Sequence, residues 1–136
     1  MIIILVIVVL IIFMKYFTGN TNAMIKNLHI ESDKIYKQYC INFGTRYQKY
    51  SIVVDDSTYY EENVIHLNVN KSPFGIPWTY NRDTLMSAIL HEISHMIDPS
   101  AKHGSKFITI YSRLKSLAIG MKLFDPTNED ISYSAE

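Results

Sequence analysis

The sequence is short of cysteine and lacks any excess of one charge. Its 136 residues contain a single cysteine, Cys40. No internal disulfide and no Cys-x-x-Cys metal site can form, and Cys40 reads as a small buried hydrophobe. The chain therefore neither requires nor excludes an oxidising compartment. Lys plus Arg and Asp plus Glu number 13 each. That balance leaves no basic footprint, so no direct nucleic-acid binding is expected. No internal repeat and no low-complexity tract is present. The length suits one domain.

What the chain does have, first, is a long apolar run: MIIILVIVVLIIFMKYF, residues 1–17. It has no polar face, so it does not read as the helix of a globular core. As a helix it reaches about 25 Å, slightly less than the roughly 30 Å of a hydrocarbon core. Lys15 can snorkel, and Tyr16 and Phe17 suit the interface. Residues 1–17 are expected to be a transmembrane anchor rather than a cleaved signal peptide. The usual basic n-region is missing, and Thr21-Asn22-Ala23 makes a poor cleavage site. Lys15, Lys26, Lys34 and Lys37 all follow the run. The positive-inside rule then predicts a single-pass protein with its C-terminal domain on the cytoplasmic side.

The segment TGNTN (18–22) reads as a polar linker, and 23–136 as one domain. Met24, Leu28, Ile35 and Tyr39 have helical spacing over 23–41, with an interruption expected near Ser32-Asp33. YSIVVDD reads as a strand. NVIHLNVN alternates, which predicts a strand with Ile65, Leu67 and Val69 facing the core. KSPFGIPWTYN reads as a loop. Met86, Leu90, Ile93 and Ile97 predict a helix over 83–97, capped by Asn81 or Asp83 and stopped by Pro99. Phe107, Ile110, Tyr111, Leu114 and Leu117 predict another, with Gly120 placed to end it. The tail beyond Lys122 reads as polar and loose. Strands grouped between helices predict an α+β domain with a small sheet.

Three of the five histidines fall in LHEISHMIDPSAKHGSKF, residues 90–107. His91 and His95 are at i, i+4, so on a helix both imidazoles lie on one face and can share one metal ion. Glu92 lies about 100° round from His91, beside a metal rather than on it. There it can take a proton from a water whose pKa a zinc ion lowers. A catalytic zinc needs a third protein ligand. His103 is the best candidate, because Pro99 ends the helix and Gly104 lets the chain bend back. Asp98 and Glu129 are the alternatives. His29 and His66 fall outside the cluster.

HEISH followed by HGSKF resembles the HExxH…HGxxF core of the SprT-like and WLM zinc metalloproteases. The strand VIHLNVN is similar to the edge-strand segment of those domains. The likeness covers roughly residues 50–115. It implies zinc ligation by His91, His95 and His103, with Glu92 as general base. It also implies a minimal zincin fold: a small sheet, an active-site helix and a following helix holding the third ligand. The chain is expected to depart from that family by its N-terminal membrane segment, and its 136 residues are expected to leave no room for the further DNA-binding or partner-binding modules of relatives that act on DNA–protein crosslinks.

The function expected is a membrane-anchored zinc peptidase acting on a protein or peptide substrate. The strand Ile65 to Val69 is expected at the sheet edge, where it could hold an extended peptide. Tyr111, Arg113 and the tyrosines of the loop before the helix are equal candidates for the oxyanion donor. The alternative is a non-catalytic zinc-binding structural or assembly protein, for example a viral membrane component. A third possibility is a metal-binding module that recruits a partner to a membrane. Glu92 argues against the structural or assembly reading, because a purely structural zinc site needs no base.

Overall fold

In the structure, a computed structural model, residues 1–71, 79–100 and 102–133 are described. The chain is mixed α+β, with three α-helices and a small three-stranded sheet among the described residues. Helix α1 runs from Ile2 to Phe43 and stops at Gly44, whose φ of 66° is the left-handed closure that glycine adopts without strain. Large apolar side chains from Ile2 to Met14 are exposed along its first part. It is the one helix, among the described residues, long and apolar enough to cross a membrane, a property signal sequences share. The core begins further along the same helix, at Leu28, Ile35, Tyr36 and Tyr39.

Two expectations for α1 are corrected. The backbone of 18–22 is helical and not an irregular linker. The segment contains no proline, so weak helix formers there do not remove a backbone donor. The interruption near Ser32-Asp33 does not occur either. Ser32 Oγ donates back to the His29 carbonyl at 3.1 Å and lies 2.7 Å from the Tyr50 hydroxyl. Asp33 accepts from Tyr47 Oη at 2.6 Å and pairs with Lys37 at 2.9 Å. Both polar groups are thus satisfied without breaking the helix.

The sheet comprises β1 (Ser51–Val54), β2 (Tyr59–Glu61) and β3 (Val64–Leu67), in the order β1-β3-β2. Strand β1 runs parallel to β3, and β2 antiparallel to it. Ile65, Leu67 and Val69 are buried, as their alternation predicts. Strand β3 is central, however, and cannot be the peptide-binding edge; the free edges belong to β1 and β2. Strand β2 escaped the sequence reading. It is joined to β3 by Glu62-Asn63, both at positive φ (49° and 64°), the conformation of a two-residue hairpin turn. Neither residue is the glycine that usually signals such a turn.

Helix α2 (Arg82–Ile97) is the core of the domain. Asn81 caps it, its Oδ1 accepting from the Thr84 amide at 2.8 Å. Leu85, Met86, Ile89, Leu90, Ile93 and Met96 are fully or nearly fully buried. Helix α3 (Ser105–Gly120) packs Phe107, Ile110, Leu114 and Ala118 inward. It ends as expected at Gly120, but glycine does not make the turn. The left-handed position is Lys122, φ 59°. The Leu123 amide returns to the Ala118 carbonyl at 2.9 Å and the Lys122 amide to Ile119 at 3.0 Å, a Schellman closure.

The tail is not loose over its described length. Phe124 is buried, and a 3-10 turn spans Pro126–Asn128. Asp83 accepts from the Asp125 amide at 2.9 Å and from Asn128 Nδ2 at 3.1 Å. The Asp130 amide donates to Thr84 Oγ1 at 2.7 Å, and Tyr133 Oη donates to the Asn68 carbonyl at 3.0 Å. The tail therefore straps the N-terminal turn of α2 to the sheet. Of the loop KSPFGIPWTYN, residues 72–78 lie outside the described residues.

Candidate metal centre

His91 and His95 are carried one turn apart on α2, on a face of that helix that the core leaves partly open. Helix α2 ends at Ile97, and the chain reverses through 98–104 before α3 begins at Ser105. Asp98 holds that reversal in place. Its Oδ2 takes the Lys106 ammonium at 2.6 Å, and its Oδ1 accepts from Ser100 N at 3.1 Å and Ser100 Oγ at 2.6 Å. The Lys106 hydrogen bond, then that from Ser100, pulls the Asp98 carboxyl down to about 2. The reversal brings His103 back to the two helical histidines.

The three Nε2 atoms converge. His91 to His103 is 3.2 Å, His95 to His103 is 3.1 Å, and His95 to His91 is 3.3 Å. An ion bound tetrahedrally at about 2.0–2.1 Å from each nitrogen would hold them about 3.3–3.4 Å apart. The triangle matches that requirement within a few tenths of an ångström. Three imidazole nitrogens aimed at one point also have no better common partner than a cation, because a neutral ring offers only one donor. The His91, His95 and His103 group can hold a metal ion, and no fourth side-chain ligand joins it among the described residues.

Phe107 fixes the ligand rings. Its ring centroid lies 4.8 Å from that of His91, 4.6 Å from His95 and 5.0 Å from His103. One side chain, four positions beyond His103, thus walls all three imidazoles. Its apolar character was legible in the sequence, but its position beneath the ligands was not. Tyr111, one turn further on, sets its ring 5.5 Å from His91 and its hydroxyl 2.6 Å from Ser87 Oγ.

Glu92 is 1 % exposed. With Tyr59, Tyr60, His95 and Pro99 it lines a cavity of about 370 Å³. Edge strand β2 therefore lies over the face of α2 that carries Glu92. This is the edge the sequence reading placed on β3.

The remaining candidates lie elsewhere. Asp98 is committed to Lys106 and Ser100. Glu129 is not one of the converging groups but lines a second cavity, on the His91 side. Arg113 lies over the ring of Phe43, 4.4 Å from its centroid, and so is engaged with the end of α1. His29 packs on Tyr50. His66 stacks on Tyr59, with centroids 4.1 Å apart, and meets Asp55 at 2.9 Å. Asp55 is held below its ordinary value, first by the Asp56 amide and then by His66.

Compared with protein-family models, curated proteins and solved structures, the chain matches none.

Proposed function

We propose that the chain is a zinc-dependent peptidase of the SprT-like and WLM kind, on a minimal zincin fold, held at a membrane by the apolar part of α1. The observation that carries this reading is the convergence of three Nε2 atoms within 3.3 Å beside the buried carboxylate of Glu92. Three imidazoles and an open fourth position are the donor set of a catalytic zinc rather than a structural one. Bound there, zinc would supply Lewis acidity for a scissile carbonyl and acidify a water.

The chain's own residues supply the rest. Glu92 follows a ligand directly, so its carboxylate would lie beside a bound ion rather than on it. It would take the proton of the attacking water and deliver it to the leaving amine. Phe107 holds the imidazoles in their orientation. The outer edge of β2, which pairs with no other strand among the described residues, would offer its backbone groups to an extended peptide running past Glu92. Lys15 and Lys26 after the apolar run support a domain on the cytoplasmic side.

The test is direct. The full chain, purified in detergent, is assayed for metal content and for cleavage of an unbiased peptide library, with and without chelator. One equivalent of zinc and chelator-sensitive cleavage are expected. Bound zinc without cleavage of any peptide would leave a non-catalytic scaffold as the better reading.

A further inference from the structure

The β2 cleft is lined by His95 and Glu92, whereas the second cavity is lined by His91. It encloses about 180 Å³ and is lined by residues that include Ser87, His91, Tyr111, Glu129 and Tyr133. That is below the roughly 300–1,000 Å³ of a small-molecule site, and is the scale of one side chain. The strapped tail forms one wall of it. Thr84 fixes that wall through the Asp130 amide, and Tyr133 anchors it to the sheet.

The charges of this cavity do not cancel. Asp130 is answered by Lys71 at 2.9 Å. Glu129, half-buried, has no ion-pair partner among the described residues. Its side chain lines the cavity together with Ser87 and Tyr111. A partly desolvated carboxylate gains most from a cation that arrives with its own apolar stem. Ala88 and Tyr133 also line the cavity.

We infer that this cavity is a specificity pocket for a basic side chain, lysine or arginine, of the peptide being cut, with Glu129 as the group that recognises it. The inference rests on the peptidase reading and adds to it the substrate class. Because His91 lines both the pocket and the metal centre, the recognised residue lies close to the scissile bond. The pocket selects, and Glu92 and the metal act.

The zinc-loaded full chain is given peptides of one frame that carry Lys, Arg, Gln or Glu in turn at each position flanking the cut bond. At one position Lys or Arg should raise kcat/KM at least about tenfold over Gln, the scale of one charge-assisted hydrogen bond. In Glu129→Gln that ratio should fall to about one, and in Glu129→Lys the preference should turn to Glu. Cleavage without a basic preference, or a preference that survives Glu129→Gln, overturns the pocket and leaves the peptidase standing. Zinc-loaded chain that cuts no peptide overturns both.

Discussion

His103 Nε2 lies 3.1 Å from His95 Nε2, although the helix that carries His95 has already ended at Ile97. The contact exists only because the chain reverses between the two residues. If the metal closes that reversal, its binding energy is also folding energy for the loop. His103→Ala should therefore lower zinc affinity by more than the roughly 10–100-fold typical of an outer-shell change. It should also expose the amides of 98–104 to hydrogen exchange. His66→Ala, on the sheet, should leave zinc content unchanged. Equal zinc affinity in wild type and His103→Ala would remove His103 from the site.

The Asp98–Lys106 pair spans the same reversal and sets its behaviour in acid. Asp98 is depressed to about 2, first by Lys106. A carboxylate of depressed pKa adds stability that is fully present above its unfolded value of about 3.9 and is lost as pH falls through about 2. Asp98→Asn removes that contribution at every pH. In metal-free protein the Tm of Asp98→Asn should lie slightly below wild type from pH 7 to about 4, the effect being small because Lys106 is exposed. The two should converge near pH 2. A difference that persists there would assign the effect to the Ser100 hydrogen bonds.

Phe107 tests whether the ligand geometry is imposed by packing. Its ring touches all three imidazoles and is nearly buried. Phe107→Ala should cost about 3–5 kcal/mol of stability and weaken zinc binding, since the rings lose their common wall. Phe107→Leu, which refills much of the space, should recover most of the stability but less of the affinity. Urea denaturation and zinc competition measured on both variants separate the two effects. Unchanged affinity in a folded Phe107→Ala would show that the metal alone orients the histidines.

The end of α3 shows where local sequence signals run out. Gly120 has the right identity to terminate a helix, yet Lys122 occupies the left-handed position. The reason is tertiary: the burial of Phe124 fixes where the chain must leave the helix, and local propensity yields to it. Glu62-Asn63 is the same case at the β2–β3 turn. Period-3.6 and period-2 patterns were legible because they report burial directly, and so α2, α3, β1 and β3 were read correctly. The grouping of the three histidines was legible because one turn of helix and one reversal set their spacing. The order of strands, the strapped tail and the Glu129 cavity depend on contacts distant in sequence. Lys122→Gly should stabilise the chain by up to about 1 kcal/mol by removing left-handed strain, and Gly120→Ala by about 0.4–1 kcal/mol, because Gly120 is helical and an added methyl meets nothing. Thermal denaturation decides it.

Glu92 separates chemistry from architecture. It is buried, on the same helical turn as two ligands, and lines the cleft beneath β2. Glu92→Gln keeps the shape and the hydrogen-bonding capacity of the side chain but removes its basicity. If the carboxylate only completes the packing of α2, the change should leave zinc affinity and any cleavage alone. If it moves the proton, the variant should fold and bind zinc normally and lose about 10²–10⁴-fold in kcat, the scale of a general base. Glu92→Asp sharpens the distinction. It retains basicity but draws the carboxylate back by one methylene, so its activity should fall between the two while its zinc affinity matches wild type. A loss of zinc in Glu92→Gln would make Glu92 a ligand, and the proton would then need another carrier on the face of α2 toward β2.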